Sequence, residues 1–157
     1  RSSDLIVEPF SVSHDAADPI GINVFAGNDK ATVVTDTGVI SDDILRRLDD
    51  TTLLVLEANY DPHMLRFGPY QPFLKQRVAS DEGHLSNEMA AQALLMMKRP
   101  NFMQVILAHR SENNNNAVLV TQTIGKMLVD GGVRIGPEMK LQHGQPNEIV
   151  SIQSVKR

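Results

Sequence analysis

Four runs of strand-forming residues in this chain each end on a side chain that can hold a proton or a metal. Phe10-Ser-Val-Ser-His14 ends on an imidazole and Ala31-Thr-Val-Val-Thr-Asp36 on a carboxylate. Leu53-Leu-Val-Leu-Glu57 ends on a second carboxylate and Gln104-Val-Ile-Leu-Ala-His109 on a second imidazole. In an open α/β sheet, ligands bind at the carboxyl ends of the strands. Imidazole and carboxylate suit zinc, manganese or iron(II), and a carboxylate can bridge two ions where an imidazole cannot. The sharp reading of His14, Asp36 and His109 is a two-metal site in which Asp36 bridges and each histidine serves one ion. Such a site makes hydroxide near neutral pH and clamps a phosphoryl oxygen. The plain alternative makes each an ordinary strand-end polar group or helix cap. One of them alone would fit that alternative; three of these types at the ends of successive strands favour the metal.

The remaining candidates have other settings. His84 lies on the Gly-containing loop Ser80-Asp-Glu-Gly-His-Leu-Ser-Asn87 just before a helix. It reads as a general acid or a donor to a transition-state oxyanion, or else as a loop histidine bonded locally. Ser86 and Asn87 beside it are candidate substrate contacts. Glu57, and Asp15 next to His14, fit groups that orient a ligand rather than bind the metal. Lys75 and Arg77 form the main local basic cluster and could contact phosphates, although a solvated helix face is the commoner explanation. His63, inside a short helix, and His143, in a polar loop before a glycine, read as ordinary surface residues.

The elements that must position these groups follow an α/β order. Leu5–Ser13 reads as a strand in which Pro9 marks a bulge or an edge position. Ile22–Ala26 and Ala31–Thr35 are joined by Gly27-Asn28-Asp29, a turn of residues that tolerate positive φ, so the sheet is mixed. Ser41 caps a helix with an acidic first turn, and Thr52–Leu56 is a continuous apolar run, as in buried parallel strands. Asp61-Pro62 starts a short helix to about Phe67, and Gly68–Pro72 is a connector. Ser86 or Asn87 caps a helix through Met97, and Phe102–Ala108 is a strand. The Asn113–Asn116 run reads as the start of a helix to about Asp130, ended by Gly131-Gly132. One or two strands are expected after Val133, with Ile149–Val155 alternating.

Composition narrows the classes. The 157 residues make one domain or a large part of one, and 41% hydrophobic with 22% charged residues is ordinary for a globular chain. With no cysteine, disulfides and thiolate metal sites are excluded, so any metal is held by histidine and carboxylate. A net charge of −4 gives no general attraction to nucleic acid, while leaving room for a local basic groove. No apolar run approaches a membrane span and no signal-peptide pattern is present, so no membrane partner and a cytoplasmic setting are expected. The chain begins at Arg1 without a methionine, which reads as a start partway through a fold.

These segments together resemble the metallo-β-lactamase fold hydrolases, and within them the YycJ/WalJ subfamily near tRNase Z and RNase J. The residues that carry the likeness are Phe10–Ala16 with Asp18–Gly21, Thr35–Gly38, Leu56–Asp61, Met64-Leu65 with Gly68–Tyr70 and Leu74-Lys75, Ser80–Asn87 and Leu107–Asn114. The resemblance implies that His14, Asp36 and His109 are metal ligands, Asp36 bridging, and that His84 assists phosphodiester cleavage. It implies a metal-dependent DNA or RNA exonuclease with two divalent ions, zinc or manganese, in the complete protein. The family's His-x-His-x-Asp-His motif is absent from this sequence. Residues 1–157 are therefore expected to form the C-terminal half of an αββα sandwich, a mixed sheet with helices outside, and to hold metal partly or not at all. On this expectation the isolated chain has little or no activity, and its sheet has an apolar face that the missing half or a homodimer partner would cover. A non-catalytic interaction module, and a self-sufficient enzyme assembled across a homodimer, are the competing readings.

Overall fold

The computed structural model describes residues 4–152. The chain opens with a meander of β1 (Leu5–Ser11), β2 (Ile20–Ala26) and β3 (Asp29–Val34). Pairing of β1 with β2 runs unbroken from Leu5 opposite Ala26 to Ser11 opposite Ile20, so Pro9 marks an edge strand and not a bulge. Gly27 and Asn28 form the two-residue turn between β2 and β3, with Gly27 at φ 62. That positive φ lets the turn follow the right-handed twist of the flanking strands.

From β3 onward the strands are parallel. Helix α1 (Asp42–Leu48) leads to β4 (Leu53–Glu57), and α2 (Pro62–Phe67), α3 (Pro72–Val78) and α4 (Asn87–Met96) lead to β5 (Met103–Ala108). Helix α5 (Ala117–Asp130) leads to β6 (Met139–His143). The six strands lie in sequence order, β1 to β6, with β1–β2–β3 antiparallel and β3–β4–β5–β6 parallel. Because β2 alone runs the other way, the C-terminal ends of β1, β3, β4 and β5 share one edge. Residues 14, 36, 57 and 109 are thereby brought to that edge.

Helix starts obey local chemistry. The side chains of Ser41, Asp61, Ser86 and Asn116 accept the backbone N–H of Ile44, Met64, Met89 and Leu119, each three residues on. The asparagine run is thus not the first turn of α5. Asn114 and Asn115 are buried in the preceding loop and Asn116 is the cap, because their amides find partners outside the helix. Among the described residues after Val133 one strand forms, β6, and His143 is its last residue instead of a loop residue. Residues 149–152 are not a strand, and the rest of the expected Ile149–Val155 alternation lies outside the described residues.

The main core lies on one face of the sheet. Val34, Leu54, Leu56, Met103, Val105, Leu107 and Met139 meet Ile44 and Leu48 of α1, Ala90 and Leu94 of α4, and Val120, Ile124 and Leu128 of α5. Each fully buried leucine or isoleucine here contributes about 1.5–3 kcal/mol. The opposite face carries the register row Pro9, Ile22, Val33, Val55 and Ile106, none of which joins that core. Val33 is 40% exposed and Val7 on β1 58% exposed, whereas Ile106 is covered near Gly144. Tyr60, Leu65 and Val78 form a second, smaller core with Tyr70 and Leu74, separate from the first.

Candidate metal centre

Two residues at the shared sheet edge adopt a left-handed backbone that only glycine takes freely. Asp36 has φ 55 and His109 φ 51. Each is the turn out of a strand, β3 and β5, and such local strain concentrates at functional sites. The effect is to aim both side chains back across the strand ends. Oδ1 of Asp36 lies 3.7 Å from Nε2 of His14 and 3.6 Å from Nε2 of His109.

The other ring nitrogens are already committed. Nδ1 of His14 is 3.0 Å from the Gly83 carbonyl, and Nδ1 of His109 is 2.7 Å from Oε1 of Glu57. Both partners can only accept, so both Nδ1 atoms carry the proton. In the neutral rings the Nε2 lone pairs then face Asp36, the tautomer a metal requires.

Glu57 is the hub. Its side chain is 0% exposed, at the end of β4. Oε1 accepts from Nδ1 of both His109 and His84, each at 2.7 Å, and Oε2 accepts the backbone N–H of Thr37 and of Leu85. Burial alone pushes the Glu57 carboxyl upward; hydrogen bonds from His109, His84 and Thr37 outweigh it and hold the group below the usual range. His109 is raised in turn by its hydrogen bond to Glu57, against the opposing effect of burial. The His84 ring sits between the other two, its centroid 5.0 Å from that of His14 and 5.2 Å from that of His109.

Donor atoms of His14, Asp36 and His84 lie within 4.8 Å of one another, as do those of Glu57, His84 and His109. In the second group Glu57 already accepts four hydrogen bonds, which makes it an orienting group there and not an open ligand. His14, Asp36 and His109 do not form one such three-donor group; His14 Nε2 and His109 Nε2 each lie beside Asp36 Oδ1, at 3.7 and 3.6 Å, so by chemistry each imidazole suits a divalent ion on its own side of a shared carboxylate.

Close backbone packing holds the loops in place. A Cβ on Gly38 would overlap the carbonyls of Ser80 and Asp81, and one on Gly83 would overlap those of Arg77 and Val78. The Gly38 N–H bonds the Ser13 carbonyl, and the Asp15 N–H bonds the Glu82 carbonyl. The loops that carry His14, Asp36 and His84 are therefore laced to one another.

Comparison with known proteins then places the chain. It is 35% identical over 152 residues to an "Exodeoxyribonuclease YycJ" of Bacillus anthracis, covering 97% of this chain and 58% of that protein. It is 33% identical over 144 residues to an "Exodeoxyribonuclease WalJ" of Streptococcus pneumoniae, covering 92% of this chain and 54% of that protein. The chain is a YycJ-like protein of the metallo-β-lactamase fold.

Solved structures agree on the fold of this YycJ-like chain. The metallo-β-lactamase fold protein YhfI of Bacillus subtilis aligns with TM-score 0.61 at 11% identity, over 90% of this chain and 47% of its own. The Zn(2+)-bound PqqB of Methylobacterium extorquens aligns with TM-score 0.57 at 18% identity, over 88% and 44%. Human tRNase Z, short form, aligns with TM-score 0.52 at 20% identity, over 71% and 38%. No protein-family model matches. The YycJ-like chain spans just over half the length of the curated relatives it matches.

The structure gathers His14, Asp36, Glu57, His84 and His109 and treats the expected substrate contacts differently. Arg77 forms a two-pronged ion pair with Asp15, whose carboxyl is lowered chiefly by that hydrogen bond. Asp15 lies 3.5 Å from Nε2 of His14, so it links α3 to the site. The Lys75 ammonium donates to the Arg66 carbonyl. Ser86 and Asn87 are buried, the first as the α4 cap and the second in a reciprocal amide pair with Asn115. His63 packs tilted against Phe67, and His143, at the end of β6, meets Thr121; neither joins the grouped donors.

Sequence reasoning passed over Thr37, Asn59 and Asn115. Asn59 donates to the His109 carbonyl and Asn115 to the Ala58 carbonyl, so both fix the strand ends that hold Glu57 and His109. The available signal was position: Thr37 follows Asp36, Asn59 lies in the Leu56–Asp61 segment with Glu57, and Asn115 directly follows the Leu107–Asn114 segment that bears His109. Among the described residues no helix is long and apolar enough to cross a membrane.

Proposed function

We propose that this chain supplies metal ligands and a proton donor to a metal-dependent phosphodiesterase acting on nucleic acid. The observation that carries this reading is Asp36 Oδ1 between the Nε2 atoms of His14 and His109, with both Nδ1 protons already taken. His14, Asp36 and His109 would hold divalent metal, zinc or manganese, with Asp36 shared. A bound ion supplies Lewis-acid stabilisation of charge on a phosphoryl oxygen and activates water.

The chain's own residues account for the rest of the chemistry. Glu57 fixes the His84 ring through Nδ1 and leaves Nε2 as the atom available to substrate. With Nδ1–H held by Glu57, the imidazolium form of His84 carries a second proton on Nε2; that proton passes to the departing alkoxide oxygen and leaves the ring neutral, so His84 acts as general acid. Glu57 holds His109 through the same oxygen, which couples the orientation of donor and ligand. The names of the YycJ and WalJ relatives support DNA as the strand that is cut.

We infer as well that residues 1–157 form the C-terminal half of an αββα sandwich, whose other half bears the His-x-His-x-Asp-His ligands. The support is the exposed apolar row around Val33 and the shares of 58% and 54% of the relatives' lengths. On this reading the chain alone binds metal partially and cleaves little or no substrate; the other half, or failing it a second copy, covers the row.

The test is cleavage of an end-labelled DNA oligonucleotide by the complete protein with Mn2+ or Zn2+, beside Asp36→Ala and His84→Ala. Loss of product in both variants, with folding retained, is the expected result. Undiminished cleavage by Asp36→Ala would refute the reading.

A further inference from the structure

The chain leaves the candidate centre at Glu57 and returns to it at His84, residues that touch at 2.7 Å. Between them α2 and α3 fold over a core of their own, Tyr60, Leu65 and Val78 with Tyr70 and Leu74. This excursion is tied to the centre on two sides. On one, the Asp61 N–H bonds the Asn114 carbonyl in the loop that follows His109. On the other, Arg77 holds Asp15 beside His14, and the Val78 carbonyl accepts the His84 N–H.

Its outer surface is unusual for this chain. Of five phenylalanines, Phe67 is 67% and Phe73 is 70% exposed, and both flank the same short connector. Phe67 is backed by the His63 ring at 4.6 Å and the Arg66 guanidinium at 5.4 Å. Phe73 precedes Arg77 by four residues on α3, so the two share a helix face one turn apart. Residues 62–79 carry Arg66, Lys75 and Arg77 and no carboxylate, in a chain of net charge −4. Exposed rings with interspersed cations, next to a centre for phosphodiester chemistry, match what single-stranded nucleic acid requires: a π-face for the base and positive charge for the backbone. Arg77 is paired with Asp15, and an apolar protein partner would not answer the remaining charge of Arg66 and Lys75, which no carboxylate of residues 62–79 neutralises.

We propose that the α2–α3 excursion is a stacking platform for unpaired nucleobases. Phe73 takes the base nearest the phosphodiester at the centre, Phe67 takes a neighbouring one, and Arg66 and Lys75 attract the backbone. The proposal rests on the nucleic-acid reading above and deepens it. Through this platform the centre recognises an unpaired strand end and needs no particular sequence.

The test is binding of the complete protein, in EDTA to stop cleavage, to a short single-stranded DNA carrying 2-aminopurine near its end. An oligonucleotide abasic at the same position is run in parallel. The wild type is expected to quench the 2-aminopurine and to bind the abasic strand about 10-fold more weakly. Phe73→Ala should lose the quenching and bind both strands alike, while Phe73→Trp should restore the difference. Equal preference for the base-containing strand in wild type and Phe73→Ala would overturn the platform, and cleavage by the wild type would then leave the phosphodiesterase reading standing. A Phe73-dependent base preference in a protein that cleaves nothing would support the platform and count against the catalytic reading. No binding of either strand by the wild type would overturn the platform.

Discussion

Nδ1 of His109 lies 2.7 Å from Oε1 of Glu57, the same oxygen that holds Nδ1 of His84. One buried carboxylate thus sets the orientation of a candidate ligand and of the candidate proton donor. Glu57→Ala would strand two imidazole N–H groups and the N–H groups of Thr37 and Leu85. It should cost about 3–5 kcal/mol in urea unfolding. Glu57→Gln should fold better but weaken metal binding about 10–100-fold by calorimetry, because an amide that turns its oxygen to the two rings sets its NH2 against the Thr37 and Leu85 N–H groups and carries no charge to orient the imidazoles.

Gly38 and Gly83 are needed for space, since both have φ outside the left-handed region and a Cβ on either would meet backbone carbonyls. Gly38→Ala and Gly83→Ala should each destabilise the chain by about 1–3 kcal/mol. They should also move the His84 loop, seen as amide shifts that spread from residues 80–84 to His14.

The buried pair Asn87 and Asn115 exchanges two amide hydrogen bonds, at 3.1 Å and 2.8 Å. Asn115→Ala leaves Asn87 and the Ala58 carbonyl unpaired and should cost about 1–3 kcal/mol per stranded group. Hydrogen exchange should report the loss first at the start of α4 and at the end of β4.

The exposed sheet face makes its own prediction. The isolated chain should bind a hydrophobic dye in its native state, and Val33→Lys together with Val7→Lys should abolish most of that signal. Both positions are exposed, so the thermal midpoint should change by what about 0.5 kcal/mol or less produces.

The strands and helix starts were legible because their signals are local. Ser41, Asp61 and Ser86 cap helices through atoms three residues away, and Gly27 and Asn28 of the expected Gly27–Asp29 turn do turn the chain, with Asp29 already the first residue of β3. The grouping of His14, Asp36, Glu57 and His109 was legible because parallel strands send their C-terminal ends to one edge. What escaped depends on contacts distant in sequence. Asn115 reads as helix until its partner Asn87, 28 residues away, is known. The β6 run Met-Lys-Leu-Gln-His contains no β-branched residue and becomes a strand by pairing with β5. Ser86 and Asn87 look like substrate contacts beside His84 because sequence adjacency does not reveal burial.

The central claim is that His14 and His109 present Nε2 to a metal shared through Asp36. It is tested most directly by the imidazole nitrogen NMR spectrum of the chain during titration with Zn2+, beside Asp36→Ala. The account predicts that the Nε2 resonances of His14 and His109 shift while both Nδ1 atoms keep their protons, and that Asp36→Ala loses the effect. Zinc binding through Nδ1, or an unchanged response in Asp36→Ala, would contradict it.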